Sequence, residues 1–364
     1  MTASEVMTPA EARALAARLG EDSWLADFRA RGLEHYLASA LPHRADHLWR
    51  YTDPVEFETK VDAFDEEHDR RSTMEHGPLP AGVIATSFDR APRALIERVL
   101  GRAVDHDFGR FEALNAASFR HGSLIHVAKN AVVSEPIRLR VNVAAGSYHA
   151  SRVAIVVEEG ASVTLMEELV GGADEAAGTK ATQQVTHVSE MVVGAQANVH
   201  HALIETLGRR CASLVTQRTR LERGAKIHPI LAAFGGALTK ADVGVALEGE
   251  GAESEMSGFL SGQGRQRFDH HTVHHHLARH TRSNLNFRTV LAERARSAYT
   301  GLIRIEKEAS YSEAYQENRN LLLSKSCRAD SIPELEILTQ EVQCKHGATV
   351  GPLDPAHLFY LMSR

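Results

Sequence analysis

A short turn recurs along this chain, and it constrains the fold more than any other feature. Glu159-Gly160-Ala161-Ser162-Val163-Thr164-Leu165 is its clearest copy. Val193-Gly194-Ala195-Gln196-Ala197-Asn198-Val199, Arg223-Gly224-Ala225-Lys226-Ile227-His228 and Glu250-Gly251-Ala252-Glu253-Ser254-Glu255-Met256 follow, at Gly-to-Gly steps of 34, 30 and 27 residues. A weaker copy, Lys307-Glu308-Ala309-Ser310-Tyr311-Ser312, places Glu308 57 residues beyond Gly251, near two further periods. Self-similarity at a period of about 20–50 residues is the mark of a solenoid. Each unit holds short Val/Ile/Leu/Thr-rich runs and no helical periodicity, so the solenoid is a β-solenoid. The glycine suits a sharp corner with positive φ. Alternation within the unit, Val163 and Leu165 against Ser162 and Thr164, gives an inward and an outward face. An antiparallel β-sandwich with regular turns is the alternative that strand content leaves open.

The flanks read differently. Residues 1–105 are expected to be a helical region, 106–343 the β-helix core, and 344–364 the start of a C-terminal helical segment. Thr8-Pro9-Ala10-Glu11 reads as an N-cap, a Pro at N1 and a capping-box Glu. Gly20 stands where a C′ glycine belongs. Phe28, Gly32, Leu33 and Tyr36 suggest a second helix, and Ala91–Gly101 a third. Residues 55–80 are charged and apolar-poor, and are expected to be exposed or mobile. His346-Gly347-Ala348-Thr349-Val350-Gly351 reads as a turn. Asp354-Pro355 should cap a helix of which Ala356–Arg364 remains, so the chain is expected to stop where a helical segment continues.

Composition narrows the function. Lys and Arg number 41 against 47 Asp and Glu, a net charge of −6, which argues against a nucleic-acid coat. No apolar run approaches the roughly 18 residues of a membrane span, and no secretory signal is visible. The three cysteines, Cys211, Cys327 and Cys344, form no CxxC pair, which points to a reducing, cytoplasmic setting. Phosphate-loop, dinucleotide, HExxH and GxSxG motifs are absent from the sequence, so no catalytic residue is assigned.

The 21 histidines stand out. Asp269-His270-His271-Thr272-Val273-His274-His275-His276-Leu277, with His280 beyond, invites a metal site. On a strand, His271, Val273, His275 and Leu277 share one face and His270, Thr272, His274 and His276 the other. The second set would form an outward imidazole ladder, and a stand-alone His-rich metal-buffering protein is one functional alternative. A polysaccharide lyase or hydrolase on a β-helix is another, with Glu248, Glu250, Glu253 and Glu255 as its carboxylates. Cys344-Lys345-His346 is the sharper constellation. Two residues apart on a strand, thiol and imidazole point the same way and can share one metal or sulfide species, though a complete site needs ligands from a second chain. Arg209-Arg210 could lower the pKa of Cys211, but a plain corner cysteine fits it better; Cys327 reads as structural.

The tail carries the motifs Ala314-Tyr315-Gln316-Glu317-Asn318-Arg319-Asn320-Leu321-Leu322-Leu323-Ser324, Pro333–Ile337, Cys344-Lys345-His346-Gly347-Ala348-Thr349-Val350-Gly351 and Leu358-Phe359-Tyr360-Leu361 with Ser363-Arg364. In order and spacing they resemble the SufB/SufD family. Trp49-Arg50-Tyr51-Thr52, Ile125-His126-Val127, Val156–Ala161 and Asp269-His270-His271-Thr272 are similar as well. Gly347 and Glu317 stand where the SufB branch usually has Glu and an interface Cys, so the likeness is nearer the SufD branch. The resemblance implies a right-handed parallel β-helix with helical flanks. It implies a non-catalytic scaffold subunit for Fe–S cluster assembly, paired with a SufB-like subunit at the C-terminal end of the β-helix and working with the ATPase SufC. It places a transient Fe–S cluster shared with SufB at His346, with Cys344 as neighbour. The family continues past Arg364 into helices that dock SufC, so weak or absent SufC binding is expected of this chain. A homodimer of the isolated chain is left open.

Overall fold

A computed structural model describes residues 8–58, 71–174, 181–352 and 354–364. The described residues form 18 strands: β1 Thr73–His76, β2 Val83–Ser87, β3 His121–Val127, β4 Ile137–Val143, β5 Tyr148–Val157, β6 Ser162–Gly171, β7 Gln183–Val193, β8 Asn198–Leu207, β9 Cys211–Leu221, β10 Lys226–Ala233, β11 Leu238–Leu247, β12 Glu253–Gly262, β13 Arg267–His276, β14 Arg282–Leu291, β15 Arg296–Ile305, β16 Ser312–Leu322, β17 Arg328–Ile337 and β18 Val342–Pro352. Odd strands from β3 to β17 stack in one sheet and even strands from β4 to β18 in the other. Every step along these two stacks is parallel, and consecutive strands in the chain lie in opposite sheets. The fold is the parallel β-helix expected from the repeat. Lys226 faces Glu253, Glu253 faces Arg282 and Ser312 faces Val342, at 27, 29 and 30 residues per rung.

The corners explain the repeat and adjust its alignment. Asn130, Gly160, Gln196, Gly224, Gly251, His280 and Tyr311 occupy one left-handed corner position, with φ between 57° and 72°. Each donates its N–H to a carbonyl of the next rung: Gly160 to Ala195, Gln196 to Arg223, Gly224 to Glu250, Gly251 to Arg279, His280 to Ser310, Tyr311 to Glu341. A small residue follows and is buried: Ala161, Ala197, Ala225, Ala252, Thr281, Ser312. Gly194 is therefore not the counterpart of Gly160; Gln196 is. Likewise Tyr311, and not Glu308, is the corner residue of the weak copy.

Between the sheets lies an apolar core that includes Val163, Leu165, Val199, Ile227, Val243, Met256, Leu285 and Phe287. Burial alternates along the even strands, as in Ser162–Gly171, so their outer face is open. Of the odd strands, β7, β9 and β11 are buried on both faces, because the N-terminal region covers their outer side.

That region begins with α1 (Pro9–Arg18), whose Thr8–Glu11 capping box forms as the sequence predicts, and α2 (Ser23–Ala38). The third expected helix shortens to α3 (Arg93–Ile96) followed by turns, and α4 (Arg110–Ser118) lies beyond the expected boundary at 105. Gly32 lets α2 approach α4: a Cβ there would stand 2.9 Å from Ala113 O. The buried Glu190 carboxylate on β7 accepts the N–H groups of Gly101, Arg102, Ala103 and Val104 at 2.9–3.0 Å and pairs with the buried Arg152 guanidinium at 2.8 Å. A buried charge is costly unless hydrogen bonds compensate it, and here the loop N–H groups supply them to the carboxylate while the Val104 carbonyl accepts from Arg152 at 2.7 Å. Of the charged stretch 55–80, residues 59–70 lie outside the described residues. Its flanks are not loose: Phe57 is buried, Glu56 accepts from Arg267 at 2.7 Å, and β1 pairs with β4.

β1 lies antiparallel on β4 and β2 antiparallel on β3, which closes the first rung. At the other end β17 and β18 are the last strands of their sheets. His346–Gly351 is strand, not turn, and the last rung runs to Pro352 before α5 (Pro355–Met362), capped by the Asp354 carboxylate. No helix of the described residues is long and apolar enough to cross a membrane.

Phe287 is fully buried and stacks on Tyr299 at 4.4 Å between ring centroids. Phe287→Ala is expected to lower unfolding stability by about 3–5 kcal/mol in urea titration, since the rungs above and below hold the cavity open. A loss below about 1 kcal/mol would show that the interior collapses freely.

Candidate functional site

The solenoid interior is not purely apolar. Fully buried Glu167 accepts hydrogen bonds from His187 Nε2 (2.8 Å), His201 Nε2 (2.7 Å) and Ser189 Oγ (2.8 Å). Burial opposes its ionisation, but the bonds from His187 and His201 outweigh this and hold the carboxyl well below the usual range. Nothing in the local sequence announces this cluster: its members come from three different strands, and only the register joins them.

The 270–276 histidines overturn one expectation. His270, Thr272, His274 and His276 point inward, not outward, and all four are buried. His274 Nε2 meets Ser254 Oγ at 3.0 Å; His276 meets Thr281 and Ser283 hydroxyls at 2.7 and 2.8 Å. An outward imidazole ladder does not exist here, and the metal-buffering reading that rested on it falls. Asp269 and His271 face outward beneath the N-terminal segment. Asp269 accepts from Thr52 Oγ1 (2.5 Å), Lys240 Nζ (3.0 Å) and His271 Nε2 (3.0 Å). Lys240 also lies 4.9 Å from the Trp49 ring centroid. The Trp49–Thr52 and Asp269–Thr272 motifs thus form one buried polar lock. Just before it, His47 reaches Glu334 on β17 at 2.7 Å.

Of the carboxylates proposed for polysaccharide chemistry, Glu248 pairs with Arg220 at 2.7 Å and Glu253 with Lys226 at 3.1 Å, on opposite sides of the Gly251 corner. They are surface ion pairs and do not converge on a common point. Cys211 is buried at a corner, and burial pushes its thiol up to about 11 despite Arg209-Arg210. Cys327 is buried against the Leu291 and Ser324 carbonyls.

The last rung is where chemistry-bearing side chains meet solvent. Cys344 lies opposite Ala314 and His346 opposite Gln316, in the two columns that face the interior on every rung below. Gln316 is buried, but His346 is exposed because among the described residues no rung covers it. Cys344 is half-buried against the cluster of Ile303, Ile305, Ala309 and Ala314, and burial raises its thiol pKa. The same contrast holds for apolar columns. Ile303 and Ile305 are 0% exposed, while their partners Leu335 and Ile337 on β17 are 37% and 38% exposed. Leu338, Val350 and, on α5, Phe359, Leu361 and Met362 are also exposed. Glu317 faces outward, paired with Arg288 and Arg319. Thiol and imidazole supply two donors where a closed tetrahedral site needs four. Among the described residues no three metal-ligating side chains stand close enough to form a ready-made site.

This geometry defines a class: a β-solenoid capped at its first rung and, among the described residues, uncovered at β17 and β18, with metal-capable side chains at that end. Residues 140–364 match the family model described as the SUF system FeS cluster assembly, SufBD core domain. The chain belongs to the SufB/SufD family of Fe–S cluster assembly proteins. It is 29% identical over 289 residues to the iron-sulfur cluster assembly protein SufD of Bacillus subtilis, covering 78% of this chain and 65% of that protein. It is 25% identical over 380 residues to a SufBD family protein of Synechocystis, covering 94% and 83%. It is 25% identical over 395 residues to SufB of Bacillus subtilis, covering 94% and 82%. The match to SufD thus spans just under two thirds of that relative's length.

Burial pushes His270 and His274 down to about 3 and His276 to about 4. Unfolded imidazoles titrate near 6.5. Folded values lie below unfolded ones, so the stability tied to these neutral rings is complete above about pH 6.5 and is lost as pH falls towards 4. At pH 5, unfolding takes up about three protons at these sites, each steepening the loss by about 1.4 kcal/mol per pH unit. His274→Gln is expected to remove one proton from that uptake, read from urea unfolding at pH 4.5–7. An unchanged slope would show that the ring is charged when folded.

Proposed function

We propose that this chain is the SufD-type, non-catalytic subunit of a cytoplasmic SufB–SufC–SufD scaffold, and that its bare last rung is the surface that meets a SufB-like subunit. The observation that carries the reading is that columns buried on every earlier rung surface abruptly at β17 and β18. Exposed apolar columns with unpaired strand edges are a liability for an isolated chain and an asset for one completed by a partner. A partner rung laid across β17 and β18 would bury Leu335, Ile337 and Val350 and enclose Cys344 and His346.

In this reading His346 is a ligand to a nascent Fe–S cluster whose other ligands come from the SufB-like subunit, and Cys344 is its neighbour in the site. An imidazole in place of one thiolate makes a weaker, exchangeable attachment, which suits a scaffold that must release its cluster. The raised pKa of Cys344 keeps the thiol protonated until metal or a partner charge draws off the proton. The likeness of the His346-Gly347 stretch to the SufD branch, and the 29% identity to a SufD, support the SufD side of the pair. SufC supplies ATP hydrolysis to the assembly, for which this chain carries no phosphate loop.

The test is co-purification with the SufB-like and SufC-like subunits followed by anaerobic reconstitution with iron and sulfide. His346→Ala is expected to leave the complex assembled and to lower bound cluster severalfold, measured by visible absorption and acid-labile sulfide. Equal cluster yield in wild type and variant would remove His346 from the site.

A further inference from the structure

The outer face of the even sheet carries a second group of metal-capable side chains, on the side away from the N-terminal region. One outward column runs Thr164, His200, His228, Glu255, Asn284 and Tyr315, rung by rung. His200 and His228 are directly opposed on adjacent parallel strands, with ring centroids 5.6 Å apart. His200 is exposed and His228 half-buried. The Ser257 hydroxyl lies 3.0 Å from His228 Nε2 and orients that ring, leaving Nδ1 available. Both imidazoles, Glu255, Asn284 and Tyr315 line a groove of roughly 400 Å³.

The neighbouring cations do not compete for this carboxylate. Lys226 pairs with Glu253 at 3.1 Å and Arg282 with Glu313 at 3.6 Å. Glu255 has no ion-pair partner among the described residues. Two imidazoles and one carboxylate, with the remaining positions open to water, are a donor set suited to ferrous iron and zinc. We propose that His200, His228 and Glu255 hold one such borderline divalent cation on the outer face of the solenoid. The imidazole pair binds first, and Glu255 completes the site by a side-chain rotation, which is why no closed three-ligand cluster stands ready beforehand. With three protein ligands at most and an open groove, the ion exchanges readily. This inference does not rest on pairing through the last rung.

Zinc binding to the full chain, measured by equilibrium dialysis at pH 7.5 and repeated anaerobically with ferrous iron, tests it. One equivalent is expected, with binding unchanged in Cys344→Ser and in the exposed control His357→Gln. His200→Gln and His228→Gln should each weaken binding at least tenfold. Glu255→Gln, at an exposed position that leaves both rings in place, should weaken it severalfold with an unchanged circular dichroism melt. Wild-type binding by the His200→Gln/His228→Gln double variant, or loss confined to Cys344→Ser, would overturn the site. No partner or cluster enters this assay, so a negative result leaves the proposed role of the last rung standing.

Discussion

Parallel stacking of rungs is the constraint on which the rest of this structure depends. Each rung satisfies its backbone groups only through the rungs before and after it. The corner position shows how tightly the stacking is specified. Seven successive corners place a left-handed residue in line, and each hands its N–H to the next rung. Glycine meets that demand at no steric cost, yet Gln196, His280 and Tyr311 also adopt it. Such residues lose roughly 1–2 kcal/mol in this region, so the ladder must over-determine them. At the last two corners His280 and Tyr311 stack at 5.1 Å, which offsets part of that cost.

A stack has two ends, and the chain treats them differently. The first rung is closed by antiparallel β1 and β2 and by the N-terminal region, which the Glu190 carboxylate and the Asp269 lock fasten to the sheet. The last rung keeps the inward columns of the solenoid, and among the described residues nothing is laid across them. His346 is exposed for the same reason that Leu335 and Ile337 are. Chemistry and adhesion at this end therefore have one cause. The N-terminal segment is also tied to it, because His47 bonds Glu334 on β17.

Much of this was legible in the sequence, and what was not has physical reasons. The period, the strand texture and the alternation of Val163 and Leu165 with Ser162 and Thr164 all follow from local residue choice, and the structure shows them. Alignment slipped at Gly194 because glycine advertises conformational freedom, whereas Gln196 takes the same backbone without any such sign. Alternation along β13 separates its two faces, but the face of His270, Thr272, His274 and His276 is the inner one, because the interior there is polar, with hydroxyls of Ser254, Thr281 and Ser283 waiting for imidazoles. Those partners are set by register between rungs, which no local window contains. For Cys344 and His346 the two-residue spacing gave their common face. That this face belongs to an uncovered end depends on the position of β18 in the stack.

The central claim is that the uncovered last rung is a protein interface. Hydrogen–deuterium exchange on the full chain, alone and mixed with a SufB-like subunit, measures it directly. The account predicts slowed amide exchange concentrated in residues 328–352 of β17 and β18, with the first rungs unchanged. Binding that protects another face, such as the outer side of β8–β14, while 328–352 exchange as in the free chain, would contradict it.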